Sequence, residues 1–432
     1  MRLGYSTVFF SVLVWMRAIA PAAEPNYDES KVLPYTLPEL LTCADGTKIT
    51  DVKTWREKRR PELLRLFEAH IYGRATGRPA EMKFEPGIVD RQALGGKATR
   101  KEIAILLNGK ADGPRIDLMV YVPKAAAKPM PAFLGLNYYG NQSVNADPGI
   151  TMSKRWMRPA REMGIENNRA TQASRGKHAS RWPLELAMER GYAVATFYYG
   201  DVEPDHKDGW RDGIRGHMAQ ATGRPLGAED WGAIGAWAWG LSRALDCLET
   251  DPDINAKRVA VFGHSRQGKT ALWAGAQDER FAITISNDSG EGGASIARRT
   301  YGERVSDLAR GAPYWFCSNY LRYADREAEM PVDAHMLVAL SAPRPVYIAS
   351  AVEDRWADPL GEFLAGKHAA PAWKLFGLEG LGVTEMPPAD QPVGRAIGYH
   401  IRTGAHDITA YDWKQFLDFA DRQFGKAKQS QR

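Results

Sequence analysis

A serine, a histidine and two aspartates carry the chemistry that this chain can be read to perform. Ser265 lies in Gly263-His264-Ser265-Arg266-Gln267-Gly268-Lys269-Thr270, directly after the apolar run Val259–Phe262. The run reads as a buried strand and the glycines as a sharp turn into a helix. That is a nucleophile elbow, which exposes a serine oxygen at the top of a sheet. A serine hydroxyl is a poor nucleophile until a base takes its proton. The elbow therefore calls for a carboxylate and then a histidine further along the chain. Both occur in that order: Asp354 at the end of a strand-like run, and His406 in a glycine-containing loop before the last helix. Histidine titrates near neutrality, so it accepts the serine proton and returns it to a leaving alcohol. The carboxylate fixes the imidazole tautomer and stabilises the imidazolium. A helix starting at Arg266 aims backbone N–H groups at the developing oxyanion, where one preorganised donor contributes about 3–4 kcal/mol.

The same residues satisfy a second pattern. Gly263–Thr270 fits G-x-x-x-x-G-K-T, the phosphate-cradling loop of nucleotide-binding proteins. The strand leading to Asp288 then imitates the aspartate-bearing strand that holds magnesium. Against this reading, several strand candidates precede the motif, and His264 and Arg266 are bulky for an anion cradle. Among the other histidines, His335 falls in a helical stretch before Asp354, the wrong order for a triad, and His400 falls within a strand and reads as core.

The elements around these residues alternate. Lys101–Leu107 and Arg115–Val122 read as a hairpin, joined by Asn108-Gly109-Lys110-Ala111-Asp112-Gly113-Pro114. Strands are expected at Ala132–Leu136, Tyr192–Tyr198, Arg258–Phe262, Phe281–Ser286, Pro345–Ser350 and Trp373–Phe376. Helices are expected around Trp55–His70, after an Asp230 cap (Ile234, Trp237, Leu241, Leu245 and Leu248 on one face), over Gln267–Ala276 and over Tyr411–Phe424. Strands alternating with helices argue for a mostly parallel central sheet flanked by helices on both faces.

Composition bounds the rest. The chain has 432 residues, 44% hydrophobic and 25% charged, enough for a large core without disulfide support. A net charge of +5 is too small to imply nucleic acid as a partner. Arg2, the apolar run Thr7–Met16 and the small residues Ala18–Ala23 read as an export leader over residues 1–23, ahead of one catalytic domain over 24–432. Secretion or a periplasmic location follows, with no membrane span and a monomer expected. Cys43, Cys247 and Cys317 leave at least one thiol unpaired, and no C-x-x-C occurs. Ser153–Arg181 is rich in arginine and lysine and reads either as solvated surface or as a positive rim that attracts an acidic polymer. The tail Lys426–Arg432 reads as disordered.

Taken together, the motifs resemble the glucuronoyl esterases, carbohydrate esterase family 15. The resemblance rests on Gly263–Lys269, on Asn287-Asp288-Ser289-Gly290-Glu291-Gly292-Gly293, on Arg298-Arg299…Gly302-Glu303, on Glu353-Asp354-Arg355-Trp356-Ala357-Asp358-Pro359 and on His400-Ile401-Arg402…His406. It implies an α/β-hydrolase fold and a metal- and cofactor-independent hydrolase of the ester between a (4-O-methyl)glucuronate carboxyl on xylan and a lignin alcohol. It also implies Ser265 as nucleophile, His406 as base and Arg266 as oxyanion support, with Lys269, Glu303 and Trp356 holding the uronate. The family places its acid at either of two positions. Both are aspartate here, Asp354 being favoured and Asp288 second or shared. Glu291 departs from the small residue the family often has. Another carbohydrate esterase, acting on acetyl groups, and a carbohydrate-binding protein with a dead hydrolase site are the alternatives.

Overall fold

The computed structural model describes residues 24–425. The expected leader over residues 1–23 and the tail Lys426–Arg432 lie outside the described residues. Among the described residues there are twelve strands: β1 Lys83–Asp90, β2 Ala98–Leu106, β3 Arg115–Pro123, β4 Met130–Asn137, β5 Ile165–Glu166, β6 Arg169–Ala170, β7 Ala193–Tyr198, β8 Ile254–His264, β9 Ile283–Asn287, β10 Val346–Ala351, β11 Val393–Gly394 and β12 Ile397–Arg402. Ten form one sheet in the order β1-β2-β3-β7-β4-β8-β9-β10-β12-β11. The run β7-β4-β8-β9-β10-β12 is parallel throughout. The flanks β1-β2-β3 and β11 pair antiparallel. β5 and β6 form a separate hairpin within the basic stretch.

The parallel strands are apolar on both faces because both faces are covered. Side chains alternate across a strand. Val259 and Val261 enter one core with Leu134, Val346 and Ile348, whereas Ala260 and Phe262 enter the other with Phe133, Tyr347 and Ala349. The first core is closed by the helices Ala233–Leu248, Arg266–Gln277 and Pro359–Leu375, the second by Leu184–Glu189 and Ala410–Gln423. All three cysteines are free and buried. Among the described residues no helix is long and apolar enough to cross a membrane.

Two sequence expectations are corrected. Trp373–Phe376 is not a strand: Trp373 is buried at the end of the helix Pro359–Leu375. Pro371 lies inside that helix and reads as a break in the sequence. Asp230 does not cap the helix Ala233–Leu248, whose N-cap is Gly232. Its carboxylate instead takes Arg224 and the Gly227 amide. β1 was not anticipated. It is an edge strand, mostly exposed, with Pro86 and Gly87 beside a register shift, so it carries no apolar alternation.

Candidate active site

Because β8, β9, β10 and β12 are parallel, their C-terminal ends share one sheet edge, the usual place for a ligand in such sheets. β8 ends at His264 and passes Ser265 to the helix; β9 ends just before Asp288; β10 leads to Asp354; β12 leads to His406.

The elbow is tight. Ser265 has φ 57° and ψ −131°, a region that costs a residue other than glycine about 1–3 kcal/mol and persists only where its surroundings enforce it. They do so here: the Ser265 amide donates to Asn287 O at 2.8 Å, and the Gly268 amide donates to Ser265 O at 2.7 Å. A Cβ on Gly263 would sit 1.9 Å from Gln267 O, and one on Gly268 would sit 2.9 Å from Ser289 Cβ. The turn is therefore restricted to glycine at both positions by close approach. This geometry removes the phosphate-loop reading. The Ser265, Gly268 and Lys269 amides bond to backbone carbonyls, and the Lys269 ammonium is committed to Glu303 and Ser289 O.

Asp354 and His406 meet. His406 Nδ1–H donates to Asp354 Oδ2 at 2.5 Å, with the carboxylate buried and the imidazole half-exposed. That bond fixes the tautomer and leaves Nε2 as the basic nitrogen. The His406 ring lies against His264, next to the serine, with ring centroids 4.4 Å apart. Burial, and then the neighbouring His406, hold the His264 imidazole well below the ordinary histidine range. It is thus neutral, and its Nδ1 pairs with Asn287 Oδ1 at 2.6 Å.

Asp288 is close but not engaged. Its oxygens have no hydrogen-bond partner among the described residues. The Arg402 guanidinium lies 3.7 Å away through Nη2, and the neutral His264 lies 3.9 Å away through Nδ1. Burial first, then the Glu362 and Asp354 carboxylates, push it well above the usual carboxylate range. Asp288, Asp354 and His406 bring ligand-type atoms within 4.8 Å of one another, close enough for a cation. The hydrogen bond between His406 and Asp354 already occupies two of those groups.

The remaining expected residues surround the elbow. Lys269 Nζ donates to Glu303 Oε2 at 2.8 Å and to Ser289 O at 2.6 Å. The Glu303 amide donates to Trp356 O at 2.8 Å, which joins the two segments through their backbones. Trp356 is 38% exposed, so it is not core. Arg266 Nη1 lies 3.2 Å from Asp205 Oδ2. Glu291 turns away into the core, where Tyr320 OH donates to it at 2.8 Å. His335 and His400 are buried, the first against Pro38 O and the second between Tyr347 and Asp412.

The role of Arg402 has no signal in the sequence. Arg402 Nη2 donates to Ala405 O and Asp407 O, both at 2.7 Å, gripping the loop on either side of His406. Its Nε donates to the buried Asp412 at 2.9 Å. The basic stretch is also more than solvated surface. Arg175 donates to Asp147 O and Ile150 O, Arg158 reaches Asp205 at 3.5 Å, and Arg181 pairs with Asp407 at 2.5 Å.

Comparison with known proteins identifies the family. The family model for glucuronyl esterase of fungi matches residues 184–377. Carbohydrate esterase MZ0003, from an unknown prokaryotic organism, is 47% identical over 92% of this chain and 91% of its own. The solved structure of a glucuronoyl esterase from Solibacter usitatus is 49% identical with a TM-score of 0.87, covering 92% of this chain and 100% of that one. A promiscuous CE15 esterase from a marine bacterial metagenome is 46% identical, also with a TM-score of 0.87, over 92% of this chain and 100% of its own. The sheet, the elbow and these likenesses agree: the chain belongs to carbohydrate esterase family 15, the glucuronoyl esterases, and is a carboxylic ester hydrolase of the α/β-hydrolase fold.

Proposed function

We propose that this enzyme hydrolyses esters of the glucuronate carboxyl, as borne on a (4-O-methyl)glucuronoxylan, with Ser265, His406 and Asp354 as its catalytic triad. Ser265 Oγ attacks the ester carbonyl as its proton passes to His406 Nε2. The new C–O bond forms and the carbonyl oxygen becomes negative beside Arg266 and the first amides of its helix, which have no intrahelical acceptor. The bond to the alcohol then breaks, and Nε2 returns its proton to the alcohol oxygen. Water enters in the alcohol's place and the same two steps release glucuronate. Asp354, hydrogen-bonded to Nδ1, holds the imidazole and stabilises its cation.

The observation that supports the substrate class is the Lys269–Glu303 pair, whose Glu303 is tied through its amide to the backbone of the exposed Trp356. A charged donor and a charged acceptor suit the hydroxyls of a sugar, and an indole face suits its apolar side. Acetyl removal needs neither. Methyl or benzyl glucuronate should therefore be cleaved far faster than nitrophenyl acetate, with the Ser265→Ala protein as an inactive control. The reverse preference would reject the uronate assignment in favour of an acetyl esterase. Turnover surviving in Ser265→Ala would reject the triad. On the strength of the leader-like residues 1–23 we also propose that the protein is exported. N-terminal sequencing of the enzyme recovered outside the cytoplasm checks this, and should find those residues removed.

A further inference from the structure

Arg266 is held on several sides at once. Its guanidinium carbon lies 5.2 Å from the centre of the Tyr138 ring and 5.1 Å from that of Trp315, a cation between two aromatic faces. Its Nη1 reaches Asp205 Oδ2 at 3.2 Å. Asp205 is 1% exposed and sits in an unusually complete ring of donors. Trp315 Nε1–H donates to Oδ1 at 2.7 Å and Tyr314 OH to the same oxygen at 2.9 Å. Tyr199 OH donates to Oδ2 at 3.2 Å, and Arg158 Nη1 lies 3.5 Å away.

These groups come from the end of β4, the end of β7, the basic stretch, the elbow and the turn Pro313–Trp315. A buried carboxylate is tolerated only when it is paired and hydrogen-bonded, and its removal leaves its partners unpaired. Asp205 joins no two strands of the sheet. Its side-chain partners include Arg266 itself and Trp315, on which Arg266 stacks. One carboxylate therefore sets both the guanidinium and one of the rings it stacks on.

We propose that Asp205 is a positioning residue for ester hydrolysis: it fixes the Arg266 guanidinium against Tyr138 and Trp315, so that the positive charge faces the carbonyl oxygen as that oxygen turns negative. The inference deepens the function proposed above and rests on Arg266 acting as oxyanion support. Preorganisation is what makes such a donor effective, because a charge already in place needs no reorientation as the reaction proceeds. Asp205→Asn keeps the shape but turns one acceptor into an amide that must face donors.

The test is a double-mutant cycle on the full chain with benzyl glucuronate as substrate. Asp205→Asn should lower kcat by about 10²-fold while KM stays within about threefold. Arg266→Met should cost at least as much. The double variant should be no slower than Arg266→Met alone, because nothing remains to be positioned. A purely structural role predicts instead that the two losses multiply, and that result would overturn the proposal. If Asp205→Asn does not fold, Tyr314→Phe replaces it, removing a single donor. Its smaller loss in kcat must vanish in the Arg266→Met background, and persistence there overturns the proposal equally. If Arg266→Met itself leaves kcat unchanged, the proposal falls with the role of Arg266. Loss of turnover in Ser265→Ala would then show that the esterase reading still stands.

Discussion

The loops that follow β9 and β10 present the same residue type to the same imidazole, yet only one of them engages it. Asp354 bonds His406 Nδ1 at 2.5 Å. Asp288 directly follows β9, buried, with no hydrogen bond to either oxygen among the described residues. A strand end in a parallel sheet brings a side chain to the active edge, but a carboxylate becomes a triad acid only where it also gains the imidazole N–H as a donor. Asp354 has such a donor. Asp288 has burial and like-charged neighbours, which favour its neutral form.

The sharpest way to break this contrast is to neutralise each aspartate in turn. Asp354→Asn should lower kcat by about 10³–10⁴-fold, since the asparagine no longer stabilises the imidazolium or enforces its tautomer. Asp288→Asn should cost far less, because asparagine is the nearest analogue of the neutral carboxyl that burial already favours. Steady-state kinetics on a glucuronate ester decide the matter. Comparable, modest losses would show the two residues sharing one role.

A smaller effect should follow from loosening the loop that brings the imidazole to Asp354. Arg402 holds Ala405 O, Asp407 O and Asp412 with one planar fork. Lysine cannot reproduce that fork. Arg402→Lys should lower kcat by about 10- to 100-fold through misplacement of His406. It should leave KM nearly unchanged, since the groups Arg402 holds belong to the His406 loop and to Asp412 rather than to Lys269, Glu303 or Trp356. A rise in KM with unchanged kcat would show that the arginine acts on substrate binding instead.

What was legible in the sequence follows the same division between local and convergent features. The elbow is a local pattern: Gly263 and Gly268 are dictated by close approach within and beside a single turn. The order of Ser265, Asp354 and His406 is also visible, because the parallel strands bring their C-terminal ends to one edge in turn. The motifs favour Asp354 over Asp288 but do not decide between them. Both follow strands of the parallel sheet, Asp288 directly and Asp354 three residues on, and only the fold shows which of them meets His406. Asp205 and Arg402 were invisible as contributors for a related reason. Asp205 gathers donors from residues 158, 199, 266, 314 and 315, and no spacing along the chain announces that convergence. The helix holding Trp373 was misread because Pro371 punctuates the sequence where the backbone remains helical.

The smallest effect on activity, and a distinct one on stability, is expected at Glu362, which ties the two aspartate loops together. This buried glutamate accepts the Ser289 and Gly290 amides at 2.7 and 3.1 Å in the loop after β9, and bonds Ser350 Oγ of β10 at 2.6 Å. Burial pushes its carboxyl up to about 8 from an ordinary 4.5. Between those two values the unfolded chain has released the proton while the folded chain retains it. Folding stability therefore falls as pH rises through that window, by on the order of 4 kcal/mol for this group. Glutamine supplies the same oxygen to the two amides and an N–H to Ser350, with no proton to lose. Glu362→Gln should thus leave turnover unchanged and flatten the decline in stability across that pH range, as read by denaturant unfolding at several pH values. Parallel curves for the two proteins would mean that Glu362 is ionised in the folded enzyme. The loop carrying Asp288 would then be held by a charge, and its contrast with the Asp354 loop would need another origin.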